Sequence, residues 1–383
     1  MRLVPLALAV LGALGALAVP PRARAAATEH AHAAVPAPTA APAAAPAPAP
    51  APAAAAPAPA NGGGAAPSGS IVLFPALGRP TQVVVSGRAL ATSPEDHPGA
   101  SALEKNLRRL AAWSAEGRTV AVSFAGQVRR VTTGDEGLFE AAFAAPAERP
   151  FPLGLQPLRA EGWGVAAEGQ VQVVSDAAPF LLVTDLDDTL AVTNVASRRA
   201  LARTALLADA ATHPAVPGMA TFLRCVLEGT SPAAGALVVS GTPLELTPRV
   251  QAFLARGGFP FAALKLRRLG PRTLSGYKEP ALRALLSSFP QAVVLVGDSG
   301  ERDPETYAAL RAEFPGRVAA IFIRDVGGSS DERRFDQMVL FKEPAVAARA
   351  AAARGLADLA CVERGFAAAA PAAAPAAEGP VGR

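Results

Sequence analysis

The sequence predicts an α/β domain built on a parallel sheet, with a smaller β-rich domain before it. Four continuous apolar runs alternate with helical segments, a pattern typical of strands that helices cover on both faces. The runs are Phe180–Val183, Ala236–Val239, Ala292–Val296 and Val318–Ile323. Shorter runs of alternating or β-branched residues lie upstream, separated by Gly, Pro and Asp clusters. We therefore assign residues 178–362 to the α/β domain and residues 70–177 to the β-rich domain.

The β-rich domain is expected to form a small β-sandwich, interrupted by one or two helical turns between Asn106 and Ala115. Because no group of reactive side chains occurs here, the sequence indicates a packing or binding module. The strand candidates are Thr81–Val85, Thr119–Phe124, Gln127–Val131 and Gln170–Val174.

The helices of the α/β domain have recognisable starts and ends. One helix is predicted to begin at Thr247-Pro248 and to end at Gly257-Gly258, and another begins at Asp303-Pro304. In open α/β sheets the ligand lies beyond the carboxyl ends of the strands. The residues that follow each apolar run are therefore the candidate site.

Both ends of the chain are predicted to lie outside the folded domains. An apolar run from Leu3 to Val19 precedes small residues, which is the layout of a secretory signal peptide, here assigned to residues 1–25. An Ala/Pro/Gly-rich linker at 26–69 and an Ala/Pro-rich tail at 363–383 cannot bury a core. We expect export to the periplasm or the cell exterior, with membrane tethering if the first segment stays uncleaved.

Composition excludes several classes of protein. A formal net charge of +4, spread along 383 residues, is too weak to indicate nucleic acid, and we expect no such partner. Two cysteines exclude a Cys-rich zinc site, and four histidines argue against a His-built metal centre. Cys225 lies in an apolar stretch and is expected to be a buried free thiol, although one Cys225–Cys361 bridge is permitted in an oxidising compartment.

Polar side chains follow three of the apolar runs. Asp185-Leu186-Asp187-Asp188-Thr189 follows the first, Ser240-Gly241-Thr242-Pro243 the second, and the segment Gly297 to Asp303 the third. Lys278 lies between the second and third runs, near a predicted helix start. Because the carboxyl ends of parallel strands share one edge of the sheet, we expect carboxylates, hydroxyls and one amine to meet there.

This order of residues resembles the haloacid dehalogenase superfamily. Within it, the chain from Phe180 to Val326 resembles the phosphatidate phosphatase catalytic domain of actin patch protein type, with the lipins as more distant relatives. The resemblance implies a haloacid-dehalogenase-like Rossmannoid parallel sheet with a small cap or none. It rests on Asp185–Thr189, Asn194–Leu207, Val216–Met219 and Gly297–Tyr307.

The resemblance also implies roles for the strand-end residues. Asp185 would be the nucleophile that forms an aspartyl-phosphate, and Asp187 would protonate the leaving alkoxide and later activate water. Lys278 would neutralise the phosphate and Asp185. Ser240, Gly241 and Thr242 would bind phosphoryl oxygens.

A Mg²⁺ ion is the implied cofactor, because a bare carboxylate would repel an anionic phosphomonoester. Its hard oxygen ligands would come from Asp185, the main-chain carbonyl of Asp187, and Asp298. Asp303 would complete the metal set by orienting those ligands or a metal-bound water.

Several of these residues also have a structural interpretation. Asp303 could be a helix N-cap, and Lys278 could be a solvated lysine, with Lys265 as a rival for its role. Ser240 to Pro243 could form an ordinary turn. Asp188 is interpreted as a turn or capping residue, and Thr189 as a support of the loop.

The substrate is expected to be bulky, since the gaps around Ser240 leave no room for a large cap domain. A phospholipid or another phosphomonoester would fit such an open site. Where the family has Ser-x-Ser-Pro and an aromatic residue, this chain has Leu244 after Pro243, which bears on substrate choice. Solvated faces are the default for two basic clusters, which could instead contact an anionic membrane surface. The clusters are Arg198, Arg199 and Arg203, and Lys265, Arg267, Arg268 and Arg272.

Three functions follow. The first is an exported Mg²⁺-dependent phosphatidate phosphatase that yields diacylglycerol and phosphate. The second is the same chemistry on another phosphomonoester. The third is a phospholipid-binding module without catalysis, which the presence of both Asp185 and Asp187 disfavours.

Overall fold

The computed structural model describes residues 69–92, 101–192, 214–230, 234–268, 276–327 and 331–367, which lie in one compact unit. Several predicted features lie outside these residues. They are the signal peptide, nearly all of the linker, most of the tail, the Asn194–Leu207 motif, Arg198, Arg199, Arg203 and Arg272. No helix in the described ranges is both long and apolar enough to cross a membrane.

The first part of the unit is a sheet of eight strands with one helix, α1, at Ala102–Leu110. The helix begins after Ser101, whose hydroxyl accepts a hydrogen bond from the Glu104 amide. The strand order is β1-β3-β2-β8-β7-β4-β5, and β6 pairs with the other edge of β3. The strands are β1 Ser70–Leu73, β2 Ala76–Gly78, β3 Gln82–Leu90, β4 Thr119–Phe124, β5 Gln127–Thr132, β6 Leu138–Ala144, β7 Gly154–Gly162 and β8 Val165–Val173.

This sheet differs from the expected β-sandwich. Its strands belong to one mixed sheet, mostly antiparallel, because the long strand β3 pairs with β1 and β2 on one edge and with β6 on the other. The sheet curves around a single core, where Phe124 of β4 contacts Phe143 of β6 at a ring distance of 5.6 Å. A side chain of β5 also reaches β6, since Gln127 donates to the Ala144 carbonyl.

The second part is a parallel sheet, as the apolar runs predict, but it has six strands, because an edge strand that the runs did not predict lies on each side of the four predicted ones. Its strand order is β11-β10-β9-β12-β13-β14. The strands are β9 Phe180–Thr184, β10 Ala236–Pro243, β11 Ala263–Arg267, β12 Ala292–Asp298, β13 Val318–Arg324 and β14 Val339–Phe341. The helices are α2 Met219–Glu228, α3 Thr247–Arg256, α4 Lys278–Ser288, α5 Asp303–Glu313, α6 Pro344–Ala352 and α7 Leu359–Ala367.

Apolar cores cover both faces of this sheet. All five residues of β9 are buried, with Phe180 and Leu182 in one core and Leu181 and Val183 in the other. This two-sided burial is the physical reason that the central strands read as uninterrupted apolar runs.

The C-terminal part of the chain corrects two expectations. Cys225 of α2 is not a free thiol, because it forms a disulfide with Cys361 of α7. Helix α7 continues to Ala367. Residues 363–367 are therefore helical, although the tail was predicted to begin at residue 363.

The strand order locates the candidate site. The chain proceeds from β9 outward to β10 and β11, then returns to the other side of β9 to form β12, β13 and β14. In doubly wound sheets, a ligand crevice opens where the order reverses, beyond the carboxyl ends of the strands. Here that place is the edge formed by the ends of β9, β10 and β12.

Candidate active site

The loop after β9 places two carboxylates at the strand end. Asp185 is buried, and its amide donates to the Val296 carbonyl of β12, which ties the loop to the neighbouring strand. Asp187 is partly buried. Asp188 adopts a left-handed conformation with φ of 55°, which agrees with its interpretation as a turn residue. Thr189 is buried beneath the loop, with its hydroxyl 3.5 Å from Asp185 Oδ2.

Lys278 lies among three carboxylates. Its Nζ is 2.8 Å from Asp185 Oδ1 and 2.5 Å from Asp303 Oδ1. A third carboxylate oxygen, Glu301 Oε2, lies 3.2 Å away. Lys278 is buried as the first residue of α4, whereas its rival Lys265 is exposed on the edge strand β11. The structure therefore assigns the site lysine to Lys278.

Asp298 is the last residue of β12, and its two carboxylate oxygens differ in their hydrogen bonds. Its Oδ1 accepts hydrogen bonds from the amides of Gly300 and Glu301, at 2.7 and 3.1 Å. Its Oδ2 is buried and has no hydrogen-bond partner among the described residues. A buried carboxylate oxygen is costly unless a cation or donor reaches it.

Asp303 faces the site and does not cap its helix. Arg302 occupies the N-cap position of α5, while Asp303 Oδ2 lies 3.4 Å from the amide of Asp298. The carboxylate fits there because residue 297 is glycine. A Cβ at position 297 would lie 2.5 Å from Asp303 Oδ2. The N-cap interpretation is therefore wrong for Asp303.

Three of these carboxylates fit a divalent cation. One carboxylate oxygen from each of Asp185, Asp298 and Asp303 lies within 4.8 Å of the other two. All three side chains are buried, and the unpartnered Asp298 Oδ2 needs a positive partner. Mg²⁺ prefers such hard oxygen ligands, although the triad itself does not identify the ion. Asp187 is predicted to contribute its main-chain carbonyl, which a triad of side-chain oxygens does not test, so that role stays a prediction.

Asp187 is instead held by two hydroxyls at the end of β10. Both Ser240 Oγ and Thr242 Oγ1 lie 3.3 Å from Asp187 Oδ2. The amide of Thr242 donates to Ser240 Oγ at 3.0 Å, so the strand end forms a tight loop beside the acid. Gly241 lies in the same loop, and its carbonyl accepts from Arg267 Nε at 3.0 Å.

Burial dominates the proton affinities of the acids. It raises the pKa of Asp185 well above its ordinary value, against the opposing charge of Lys278. It also raises the pKa of Asp187, with a further contribution from Glu301. Burial and the neighbouring Asp303 raise the pKa of Asp298 to about 7. Burial is the largest cause of each rise, and neighbouring carboxylates add to it.

Lys278 keeps its charge in this environment. Burial alone would lower the pKa of the ammonium, but Asp185 and Asp303 outweigh that cost and raise it well above the ordinary value. The group is therefore a permanent cation at neutral pH.

The structure brings together every predicted site residue and adds three that the sequence did not single out. Glu301 contacts Lys278, and Arg324, at the end of β13, donates to the main-chain carbonyl of Asp188. Tyr277 lies against Gly241. Strand-end position could have identified Arg324, and adjacency to Lys278 could have identified Tyr277.

The second basic cluster is largely occupied by contacts within the protein. Arg267 donates to Gly241, and Arg268 forms an ion pair with Glu136 at 2.9 Å. Lys265 is exposed. Arg268 is nevertheless exposed, as is Lys265, so a solvated or membrane-facing surface stays a prediction for this cluster.

Comparison with known proteins defines the class of this domain. Residues 180–325 match the family described as the catalytic domain of phosphatidate phosphatase APP1. The match of this segment confirms the resemblance inferred from its motifs. The buried Asp185, Asp298 and Asp303 of the segment are consistent with a metal site.

Two curated relatives resemble parts of the chain. Uncharacterized protein C29B5.04c of Schizosaccharomyces pombe is 32% identical over 162 residues, which are 40% of this chain and 26% of the relative. Phosphatidate phosphatase APP1 of Saccharomyces cerevisiae is 26% identical over 191 residues, which are 45% of this chain and 32% of the relative. The chain thus spans about a quarter to a third of the length of these relatives.

Solved structures show only weak similarity. A chain of the Pnkp1/Rnl/Hen1 complex has a TM-score of 0.30 at 15% identity, covering 40% of this chain and 48% of that one. A carbohydrate acetylesterase from Xanthomonas citri has a TM-score of 0.29 at 14% identity, covering 75% and 66%. At these TM-scores neither structure defines a shared fold.

Proposed function

We propose that this protein is an exported Mg²⁺-dependent phosphatidate phosphatase of haloacid dehalogenase type. One observation carries the proposal. The buried carboxylate of Asp185 contacts the ammonium of Lys278 and lies close to the carboxylates of Asp298 and Asp303. A second acid, Asp187, follows it two residues later. The match of residues 180–325 to the APP1 catalytic domain supplies the substrate class.

The first step is transfer of the phosphoryl group to Asp185. Asp185 Oδ1 is held by Lys278, and Oδ2 has only the long contact with Thr189, so Oδ2 is the oxygen able to attack phosphorus. As the new O–P bond forms, the bond from phosphorus to the ester oxygen breaks. Asp187 donates its proton to that oxygen, and diacylglycerol leaves.

The second step is hydrolysis of the aspartyl-phosphate. Asp187, now ionised, takes a proton from water while the water oxygen attacks phosphorus. The acyl-phosphate bond breaks, which frees phosphate and restores the Asp185 carboxylate. The raised pKa of Asp187 suits this exchange, because it favours the protonated form that the first step needs.

The oxygens of Asp185, Asp298 and Asp303 would hold the Mg²⁺ ion, which when bound supplies charge that offsets the phosphate. Lys278 adds a fixed positive charge beside the attacking oxygen. Ser240 and Thr242 fix the carboxyl of Asp187, and their hydroxyls are near enough to the acid to contact a phosphoryl group there.

The departure from the family pattern after β10 has a structural explanation. Leu244 is buried in a short 3-10 turn. Its side chain therefore belongs to the interior, and the replacement does not by itself alter a substrate-facing surface. The replacement therefore gives no reason against a phosphatidate substrate, and another phosphomonoester remains the second candidate.

Export is supported by the Cys225–Cys361 disulfide. Disulfides persist in oxidising compartments and are rare in the cytosol of mesophiles. Together with the predicted signal peptide at 1–25, the bridge favours a periplasmic or extracellular protein. Cell fractionation with N-terminal sequencing tests this, and a full-length cytosolic protein would contradict it.

Phosphate release from dispersed phosphatidate and from a generic aryl phosphate tests the activity, each with Mg²⁺ and with chelator. We expect Mg²⁺-dependent turnover that Asp185→Asn lowers by about 10⁴-fold or more, because the nucleophile is lost. Asp188→Asn is the matched control and keeps most of the activity, since asparagine tolerates the left-handed turn.

Three outcomes separate the candidates. Turnover that survives Asp185→Asn contradicts the nucleophile assignment. Turnover of the aryl phosphate alone favours another phosphomonoester as substrate. Binding of phosphatidate vesicles without turnover by the unmodified protein favours a binding module.

A further inference from the structure

Tyr277 presents a buried hydroxyl to the candidate site without a hydrogen bond. Its oxygen is buried and has no partner among the described residues. The ring packs against the C-terminal end of β10, where a Cβ on Gly241 would lie 3.3 Å from the hydroxyl oxygen. The next residue is Lys278, whose Nζ is 2.8 Å from Asp185. The hydroxyl therefore lies against Gly241, beside the Ser240 and Thr242 hydroxyls that contact Asp187.

An unpartnered buried hydroxyl needs an explanation, because it costs about 1–3 kcal/mol. A second buried tyrosine in the same domain has a hydrogen-bond partner. The hydroxyl of Tyr307 donates to the Val296 carbonyl at 3.2 Å. The chain can thus satisfy a phenol in this core, yet it leaves Tyr277 without an acceptor.

The surroundings of Tyr277 favour an anionic acceptor. Burial raises the pKa of the phenol, so the group stays a neutral donor at physiological pH. Lys278 acts on it as a nearby positive charge, alongside the carboxylates of Asp185, Glu301 and Asp303. The glycine at position 241 lets the main chain approach the hydroxyl closely. A phosphoryl oxygen carries negative charge and only accepts hydrogen bonds, so it matches both the donor and the cation.

We propose that Tyr277 is a further substrate-binding residue, whose hydroxyl donates a hydrogen bond to a non-bridging oxygen of the phosphoryl group. This inference rests on the proposed function, since it places the phosphoryl group between Gly241 and Lys278. The absence of a Cβ at Gly241 is part of the same site, because any side chain there would press on the phenol.

Tyr277→Phe tests the proposal, because it removes only the hydroxyl. We expect kcat/KM for a phosphomonoester to fall about 10- to 100-fold, the range for a lost hydrogen bond to a charged group. Affinity for inorganic phosphate, measured by calorimetry in the presence of Mg²⁺, should weaken by a similar factor. The melting temperature of the ligand-free protein should stay equal or rise, since an unpartnered hydroxyl is gone.

Tyr307→Phe is the matched control, since it removes a hydroxyl that has a partner. It should lower the melting temperature and leave phosphate affinity unchanged. A purely structural role for Tyr277 predicts the same pattern as Tyr307→Phe, so the two variants separate the possibilities.

The outcomes also separate this inference from the proposed function. Unchanged kcat/KM and unchanged phosphate affinity in Tyr277→Phe overturn the inference, even where Asp185→Asn abolishes turnover. If the unmodified protein binds inorganic phosphate without hydrolysing any phosphomonoester, the proposed function fails, and the phosphate affinity of Tyr277→Phe still decides the role of Tyr277. If the unmodified protein neither binds inorganic phosphate nor hydrolyses any phosphomonoester, both fail.

Discussion

The carboxylate of Asp298 illustrates how the charge of the site is left unbalanced. Three carboxylates contact Lys278, and Asp298 lies beside one of them, Asp303, with an oxygen that no described residue reaches. Like charges in a buried site oppose each other. The crowding of Asp185, Asp298 and Asp303 is therefore expected to lower the stability of the metal-free fold and to favour binding of a cation.

Asp298→Asn should therefore stabilise the metal-free protein and abolish its response to Mg²⁺. Asparagine keeps the acceptor for the amides of Gly300 and Glu301 but removes one charge. We expect the melting temperature without metal to rise by about 2–4 °C, the change that about 1 kcal/mol produces in a unit of this size. The rise that Mg²⁺ gives to the unmodified protein should disappear, as measured by thermal unfolding with chelator and with Mg²⁺.

Asp176→Asn is the control for that experiment. Asp176 forms an exposed ion pair with Arg79, so its loss should change stability little and should keep the full response to Mg²⁺. A loss of stability in metal-free Asp298→Asn would contradict the charge argument.

At the scale of elements, helices α2 and α7 are joined covalently. The Cys225–Cys361 bond links residues 136 positions apart, with both cysteines buried in the same core. In the chain-entropy account, a crosslink stabilises a protein by restricting its unfolded chain, and more so for a long loop. The terminal helix is thereby held against the sheet even though it ends the described chain.

Replacement of both cysteines by alanine should lower the free energy of unfolding by about 2–4 kcal/mol. Urea unfolding with and without a thiol reductant measures this. The reductant should reduce the stability of the unmodified protein and leave the double variant unaffected. Equal stability of the unmodified protein in both conditions would show that the bridge does not form in solution.

At the scale of the whole molecule, the first sheet contacts the loop that carries the site hydroxyls. Arg88 of β3 is buried, with its guanidinium 3.7 Å from Glu245, which follows that loop in a 3-10 turn. The same guanidinium donates to the Glu136 carbonyl and to Ser114. Glu136 in turn pairs with Arg268. The first sheet is therefore in contact with the segments that follow β10 and β11.

Arg88→Met should cost about 3–5 kcal/mol of unfolding free energy, because it leaves Glu245 buried without its cation. Combining it with Glu245→Gln should restore part of the loss, and urea unfolding of the two single variants and the double variant measures the coupling. Arg159→Met is the control, since its ion pairs with Glu161 and Glu168 are exposed and worth little. Strictly additive effects of Arg88→Met and Glu245→Gln would contradict the pairing.

Much of the candidate site could be predicted because its signals are local. An apolar run followed at once by Asp185 and Asp187 indicates a buried strand with polar groups at its end. The same logic applied to Ser240 and Asp298, and the structure brings all of them to one sheet edge. Lys278 was more difficult, since a lysine at a helix start has the same local pattern whether it is solvated or buried.

Other features escaped prediction because they depend on pairing between distant segments. Four of the eight β-rich strands were recognised, but their partners were not, so one mixed sheet was taken for a sandwich. The bond between Cys225 and Cys361 and the contact of Tyr277 with Gly241 likewise join segments that no local pattern relates.

The amino-acid order by itself determined the strands of the parallel sheet and the acids that follow them, because burial and backbone periodicity act over a few residues. Only the tertiary structure decided which lysine enters the site and which oxygen of Asp298 has no partner among the described residues. It also decided that the Tyr277 hydroxyl, and not that of Tyr307, is buried without a hydrogen bond among them. Those properties depend on side-chain distances between elements far apart in the chain, and packing alone sets them.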